Sequence, residues 1–121
     1  MTKKPCILIV EDEVITAASI KMGLELAGYN ICPLATRSSK ALEVALDKKP
    51  DVVLMDVNLP GGKNGIDTAR EILKHIQTQV IFLTGYHDDA ITAQIKGLNP
   101  LGYIVKPVSI DRIKQILEKH F

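Results

Sequence analysis

An unbroken apolar run, Val52-Val53-Leu54-Met55, leads into Asp56 and, four residues later, Pro60. A continuous run of this length reads as a strand buried on both faces, as in a parallel sheet covered by helices. Pro60 has no N–H to give a ladder, so the strand stops at the carboxylate. Three other runs have the same character: Cys6-Ile7-Leu8-Ile9-Val10, Val80-Ile81-Phe82-Leu83 and Gly102-Tyr103-Ile104-Val105. A weaker strand is predicted over residues 29–34.

Between the strands the period becomes helical. Ala17, Ile20, Leu24 and Ala27 share one face at 3-4-3 spacing, and Gly28 closes that helix as its C′ residue. Ser38 or Ser39 can cap the helix carrying Ala41, Leu42 and Ala45, which Lys48-Lys49-Pro50 terminates. Ile66, Ala69, Leu73 and Ile76 line a third helix after the loop Gly61-Gly62-Lys63-Asn64-Gly65. Residues 88–96 are helical but weakly amphipathic, so this is the least firmly packed helix. Ile110, Ile113 and Leu117 give the last helix its buried face. Strand and helix thus alternate five times with short loops. That pattern calls for an α/β fold, a doubly wound five-stranded parallel sheet joined by right-handed crossovers. Residues 1–121 are read as one domain.

Composition narrows the function classes. A net charge of +1 gives no reason for direct nucleic-acid or membrane binding, and without Trp there is little to stack bases on. The basic start Thr2-Lys3-Lys4-Pro5 precedes only five apolar residues, too few for a signal peptide or a span, so the chain is expected to be cytoplasmic. Cys6 and Cys32 fit no zinc or redox spacing and read as reduced, buried core thiols.

The chemistry lies where the strands stop. Glu11 and Asp12 follow the first, Asp56 ends the third, Thr84 follows the fourth and Lys106 the fifth. Each alone could be a cap or a solvated side chain. In a doubly wound sheet, however, the carboxyl ends share one edge, where ligands bind. Crowded carboxylates repel and invite a cation, and oxygen-only donors suit Mg²⁺ together with a phosphate. Lys106 and the Thr84 hydroxyl complete a site for a phosphoryl group. The glycine loop at 61–65 is not a P-loop, because its spacing and the following Ser or Thr are missing.

With Val10-Glu11-Asp12-Glu13, Met55-Asp56-Val57-Asn58-Leu59-Pro60, Leu83-Thr84-Gly85 and Gly102-Tyr103-Ile104-Val105-Lys106-Pro107 in order, the chain resembles the receiver domains of two-component response regulators. The resemblance implies a flavodoxin-like (βα)5 fold with strand order 2-1-3-4-5. It implies Asp56 as the phosphoacceptor for a histidine kinase or histidine phosphotransfer protein. Asp12 would ligate Mg²⁺ directly, Glu11 through water and Asn58 through its backbone carbonyl, with Asp56 completing the set. Lys106 would pair with the phosphoryl oxygens, while Thr84 and Tyr103 would form the switch. The output surface would be the fourth helix, fifth strand and fifth helix, facing an output domain or protein, with a phosphorylation-dependent homodimer among the arrangements allowed. Such a domain is not an enzyme in the ordinary sense, since it catalyses only its own phosphoryl transfer and dephosphorylation.

Some residues depart from the family pattern. Glu11 stands where Asp is also common, the loop from Pro60 to Gly65 is one residue longer, and Asn99-Pro100 replaces a more typical Ala-Asp turn. Gly85 leaves the phosphate approach open, and Tyr86 is placed to shield an acyl phosphate. A haloacid-dehalogenase phosphatase would need a second Asp as general acid where Asn58 stands. An FMN binder would not place Glu11-Asp12-Glu13 in its phosphate loop. A non-phosphorylated interaction module would show a gap among the reactive residues. His75 and His120 read as helix-end residues and His87 as a surface-loop residue.

Overall fold

The computed structural model describes residues 4–61, 63–85 and 88–121. Five strands alternate with five helices: β1 (Cys6–Val10), α1 (Val14–Leu26), β2 (Asn30–Ile31), α2 (Ser38–Lys48), β3 (Val52–Asp56), α3 (Gly65–His75), β4 (Gln79–Thr84), α4 (Asp89–Lys96), β5 (Gly102–Val105) and α5 (Ile110–His120). The strands form one sheet in the order β2-β1-β3-β4-β5, and every pairing is parallel. Parallel neighbours require crossovers, and the helices that make them cover both faces.

Side chains alternate across the strands and divide the core in two. Leu8, Val10, Val53, Met55, Val80 and Phe82 pack with residues of α2 and α3. Ile7, Ile9, Val52, Leu54, Ile81 and Leu83 pack with residues of α1 and α5. All five residues of β3 are buried, so the central strand has no solvent-facing side. Each fully buried Leu, Ile or Phe here contributes ~2 kcal/mol of hydrophobic stabilisation before chain entropy is counted. Gly28 closes α1 at φ 95°, a conformation that a Cβ would strain. As expected from its pattern, α4 is the loosest helix, with Ile95 its only fully buried residue.

Several sequence expectations are corrected. Strand β2 is two residues long because the register slips by one residue beyond Cys32, where Ala35 rather than Leu34 makes the next bond to β1. The chain nevertheless stays beside β1 through Cys32 N–H to Ile7 O (2.9 Å), Ala35 N–H to Ile9 O (3.1 Å) and Glu11 N–H to Ala35 O (3.0 Å). Neither Ser38 nor Ser39 caps α2. Its N-cap is Arg37, without a side-chain cap, and the Ser38 hydroxyl is instead hydrogen-bonded with the Thr68 hydroxyl at 2.7 Å. Gly65 is not loop but the first residue of α3, behind Asn64, whose side chain accepts from Asp67 N–H. Cys6 is only half buried, whereas Cys32 is buried. Among the described residues, no helix is long and apolar enough to cross a membrane.

Candidate functional site

The carboxyl edge of the sheet gathers Glu11, Asp12, Asp56, Thr84 and Lys106. Asp56 ends β3 as a fully buried carboxylate, and Glu11, just past β1, is buried as completely. Asp12 is exposed at the mouth. One oxygen from each of Glu11, Asp12 and Asp56 lies within 4.8 Å of the others. The backbone N–H of Asn58 donates to Asp56 Oδ1 at 2.9 Å, a local turn that fixes the carboxylate's rotation. Lys106 crosses from the end of β5, its Nζ 3.1 Å from Asp56 Oδ2 and 3.2 Å from Glu11 Oε2. The Lys106–Pro107 peptide is cis.

Three carboxylates against one ammonium leave an excess of two negative charges. Glu11 registers it: burial first, and then the neighbouring Asp56 charge, raise its pKa to about 7, against a lowering hydrogen bond from the Glu13 N–H. Burial works against the charge on Lys106, but its hydrogen bonds and attraction to Asp56 and Glu11 outweigh this and hold its pKa above the ordinary value. Glu11 Oε2 is buried and accepts no hydrogen bond, although it lies within ion-pair distance of Lys106. A buried oxygen so placed, beside two more carboxylates, fits a hard divalent cation. The residues present therefore suit Mg²⁺.

Thr84 ends β4, buried next to Asp56's strand, and its carbonyl accepts from the Lys106 N–H at 2.7 Å. The switch candidates thus share a ladder: Thr84 pairs with Val105, and Tyr103 pairs with Phe82. Tyr103 packs half-buried against the core on the α2–α3 side. Asn58 is exposed at the mouth. Tyr86 and His87, discussed above for shielding and as a loop residue, lie outside the described residues, as does Gly62. His75 lies away from the edge and contacts Glu71 at 3.3 Å, and His120 sits in the last turn of α5.

Two residues of the site escaped sequence reasoning. Glu13 brings a third acid to 4.0 Å from Lys106 Nζ, and its N–H donates to Glu11 Oε1 at 3.2 Å. Gly65 presses on the backbone of Asp56: a Cβ there would overlap the Asp56 carbonyl oxygen and stand 2.7 Å from its carbon and 2.9 Å from Val57 Cα. The Gly65 N–H also donates to Val57 O at 2.9 Å, so α3 begins directly against the peptide that carries the carboxylate. The Asn-Gly pair marked a turn, but a close approach to residue 56 is a tertiary fact.

Known proteins share this arrangement. Residues 7–118 match the family described as the response regulator receiver domain. The transcriptional regulatory protein PdtaR of Mycobacterium tuberculosis is 32% identical over 112 residues, covering 93% of this chain and 54% of that protein. The phosphate regulon regulatory protein PhoB of Pseudomonas aeruginosa is 36% identical over 122 residues, covering 93% of this chain and 52% of that protein. The chain spans about half the length of these two relatives. Among solved structures, the signal receiver domain of a modulated diguanylate cyclase from Desulfovibrio desulfuricans superimposes with TM-score 0.89 at 32% identity, covering 97% of this chain and 93% of that one. A CheY-like receiver domain from Methanospirillum hungatei gives TM-score 0.85 at 25% identity, covering 97% and 96%. The sheet order, the buried acids at its carboxyl edge and the match across nearly the whole chain have one conclusion: this chain belongs to the receiver domain family of response regulators, the signalling domains of two-component systems.

Proposed function

We propose that residues 1–121 act as a phosphoacceptor receiver domain in which Asp56 takes a phosphoryl group from the phosphohistidine of a kinase or histidine phosphotransfer protein. The observation that carries this reading is the pairing of buried Asp56 with Lys106 Nζ at 3.1 Å inside an acidic cluster. Asn58 N–H holds one carboxylate oxygen and Lys106 the other, so the nucleophile is oriented before the donor arrives. Because Asp56 is fully buried, Lys106 must give way at the mouth as the phosphoryl group enters, and it then pairs with the incoming oxygens.

Asp12, Asp56, the Asn58 carbonyl and, through water, Glu11 would hold Mg²⁺, which when bound neutralises charge on the phosphoryl oxygens. The bond formed is Asp56 Oδ–P and the bond broken is N–P in the donor, whose imidazole departs with the electron pair. Thr84 then hydrogen-bonds a phosphoryl oxygen and Tyr103 repacks, altering the surface of α4, β5 and α5 read by an output partner. The looseness of α4 supports its place as the responding element. The domain acts in the cytoplasm in this reading, as a signalling module rather than a metabolic enzyme.

Asp56→Asn tests the assignment. Incubation with acetyl phosphate and Mg²⁺ labels the wild type with acid-labile, hydroxylamine-sensitive phosphate and leaves the variant unlabelled, with an unchanged circular dichroism spectrum. Full labelling of the variant would refute Asp56 as acceptor, and labelling unaffected by a chelator would refute the cation.

A further inference from the structure

A second cluster of reactive side chains lies at the opposite edge of the sheet. Cys6 opens β1 and Cys32 follows β2, and their Sγ atoms stand 3.2 Å apart. Parallel register explains the meeting: Cys6 lies opposite Asn30, so Cys32, two residues further along its strand, reaches back on the same face. A disulfide has its sulfurs about 2.05 Å apart, so roughly 1.2 Å of approach would close the bond.

The two sides differ in freedom. Cys6 is clamped, its N–H donating to Asp51 Oδ2 at 2.8 Å and its carbonyl accepting from Asp51 N–H at 2.9 Å. Cys32 lies past the two-residue strand and before Pro33, tied by one hydrogen bond to Ile7 O at 2.9 Å. The approach therefore falls on Cys32. Access differs as well: Cys6 is partly exposed and Cys32 is buried, 4% exposed.

We propose that Cys6 and Cys32 form a redox modification site, in which a hydroperoxide oxidises Cys6 and Cys32 then closes on it as an intramolecular disulfide. In the first step the Cys6 thiolate attacks the peroxide. An S–O bond forms, the O–O bond breaks, and the departing hydroxide takes a proton to leave Cys6 sulfenic acid. In the second step the Cys32 sulfur attacks the Cys6 sulfur, the S–O bond breaks, and the Cys32 proton leaves with the hydroxide as water. Two thiols and one hydrogen peroxide thus give one disulfide and two waters. Burial and the Cys6 hydrogen bond push the Cys32 thiol up to about 12, so the first attack on the peroxide falls to the more accessible Cys6, and the 3.2 Å separation places Cys32 to resolve it.

The bond would close a loop containing α1 and staple the edge strand β2 to β1. Lys4 already spans the same gap, its Nζ 2.7 Å from Ala27 O and 4.7 Å from the centre of the Tyr29 ring. The length of β1, ~17 Å, separates Cys6 from the carboxylates, so the modification leaves phosphoryl acceptance intact.

The test is treatment of the full chain with hydrogen peroxide, followed by intact mass, thiol alkylation under denaturing conditions and peptide mapping. The expected product is a monomer lighter by two hydrogens, without alkylatable thiols, with Cys6 and Cys32 peptides joined and dithiothreitol restoring both. Its thermal midpoint should exceed that of the reduced protein by on the order of 10 °C. Cys32→Ser should stop at the sulfenic acid, trapped on Cys6 by dimedone. Should that variant fail to fold, peptide mapping of the wild type decides alone. Persisting free thiols, intermolecular dimers, sulfinic acid as the main product, or an unchanged or lowered midpoint would overturn the proposal.

Discussion

Gly65→Ala isolates the link between helix placement and chemistry. The added methyl carbon would lie 2.7 Å from the Asp56 carbonyl carbon and 2.9 Å from Val57 Cα, where ordinary carbon contacts need ~3.5–4.0 Å. Either α3 or the Asp56 peptide must therefore retreat by about 1 Å. The obstructing atoms are backbone in the central strand's end, so no side chain can rotate away. Overpacking of this kind costs about 1–3 kcal/mol, a fall of roughly 5–10 °C in thermal midpoint for a domain this size. A displacement of about 1 Å at the nucleophile slows transfer on the order of 100-fold. The assay is the initial rate of phosphate incorporation from acetyl phosphate at a temperature where both proteins are folded. Gly97→Ala at the end of α4 serves as control, because its methyl would meet the carbonyl oxygens of Gln94 and Ala93 at 3.4 and 3.6 Å, ordinary contacts. A Gly65→Ala protein that incorporates phosphate within threefold of the wild type would refute the coupling.

Glu11, with its pKa raised to about 7, predicts opposite pH trends for folding and cation binding. Without cation, the stability it contributes is fully present below the ordinary value of 4.5 and lost as pH rises through about 7, on the order of 3 kcal/mol in total. Mg²⁺ affinity should instead weaken as pH falls below about 7; urea melts and titrations of wild type and Glu11→Gln check both, and identical pH profiles would count against Glu11. Lys106→Met should leave Asp56 and Glu11 buried without their cation, costing ~3 kcal/mol in the metal-free protein, with Mg²⁺ restoring much of it. An undiminished thermal midpoint without metal would contradict that accounting. Thr84→Ala should accept phosphate yet lose the beryllofluoride-induced NMR shifts at Tyr103 and in α4, and equal responses in both proteins would remove Thr84 as the coupling residue.

The sequence by itself determined the alternation of strands and helices, because buried strands must be continuously apolar and covering helices must repeat near every third or fourth residue. It also marked Glu11, Asp12, Asp56, Thr84 and Lys106, since each strand changes abruptly from apolar to reactive at its carboxyl end. Their convergence followed from topology alone: parallel strands place those ends on one edge. Local chemistry was less legible where long-range partners decide it. Ser38 looked like a cap but is engaged by Thr68 from α3, and the strand expected over 29–34 shrank to Asn30–Ile31 because the register slips beyond Cys32. Only the tertiary structure set Gly65 against the Asp56 carbonyl, brought Glu13 towards Lys106 and placed Cys6 beside Cys32. These are contacts between segments far apart in sequence or folded back on a turn. Their distances depend on sheet register and helix docking, which no local period encodes.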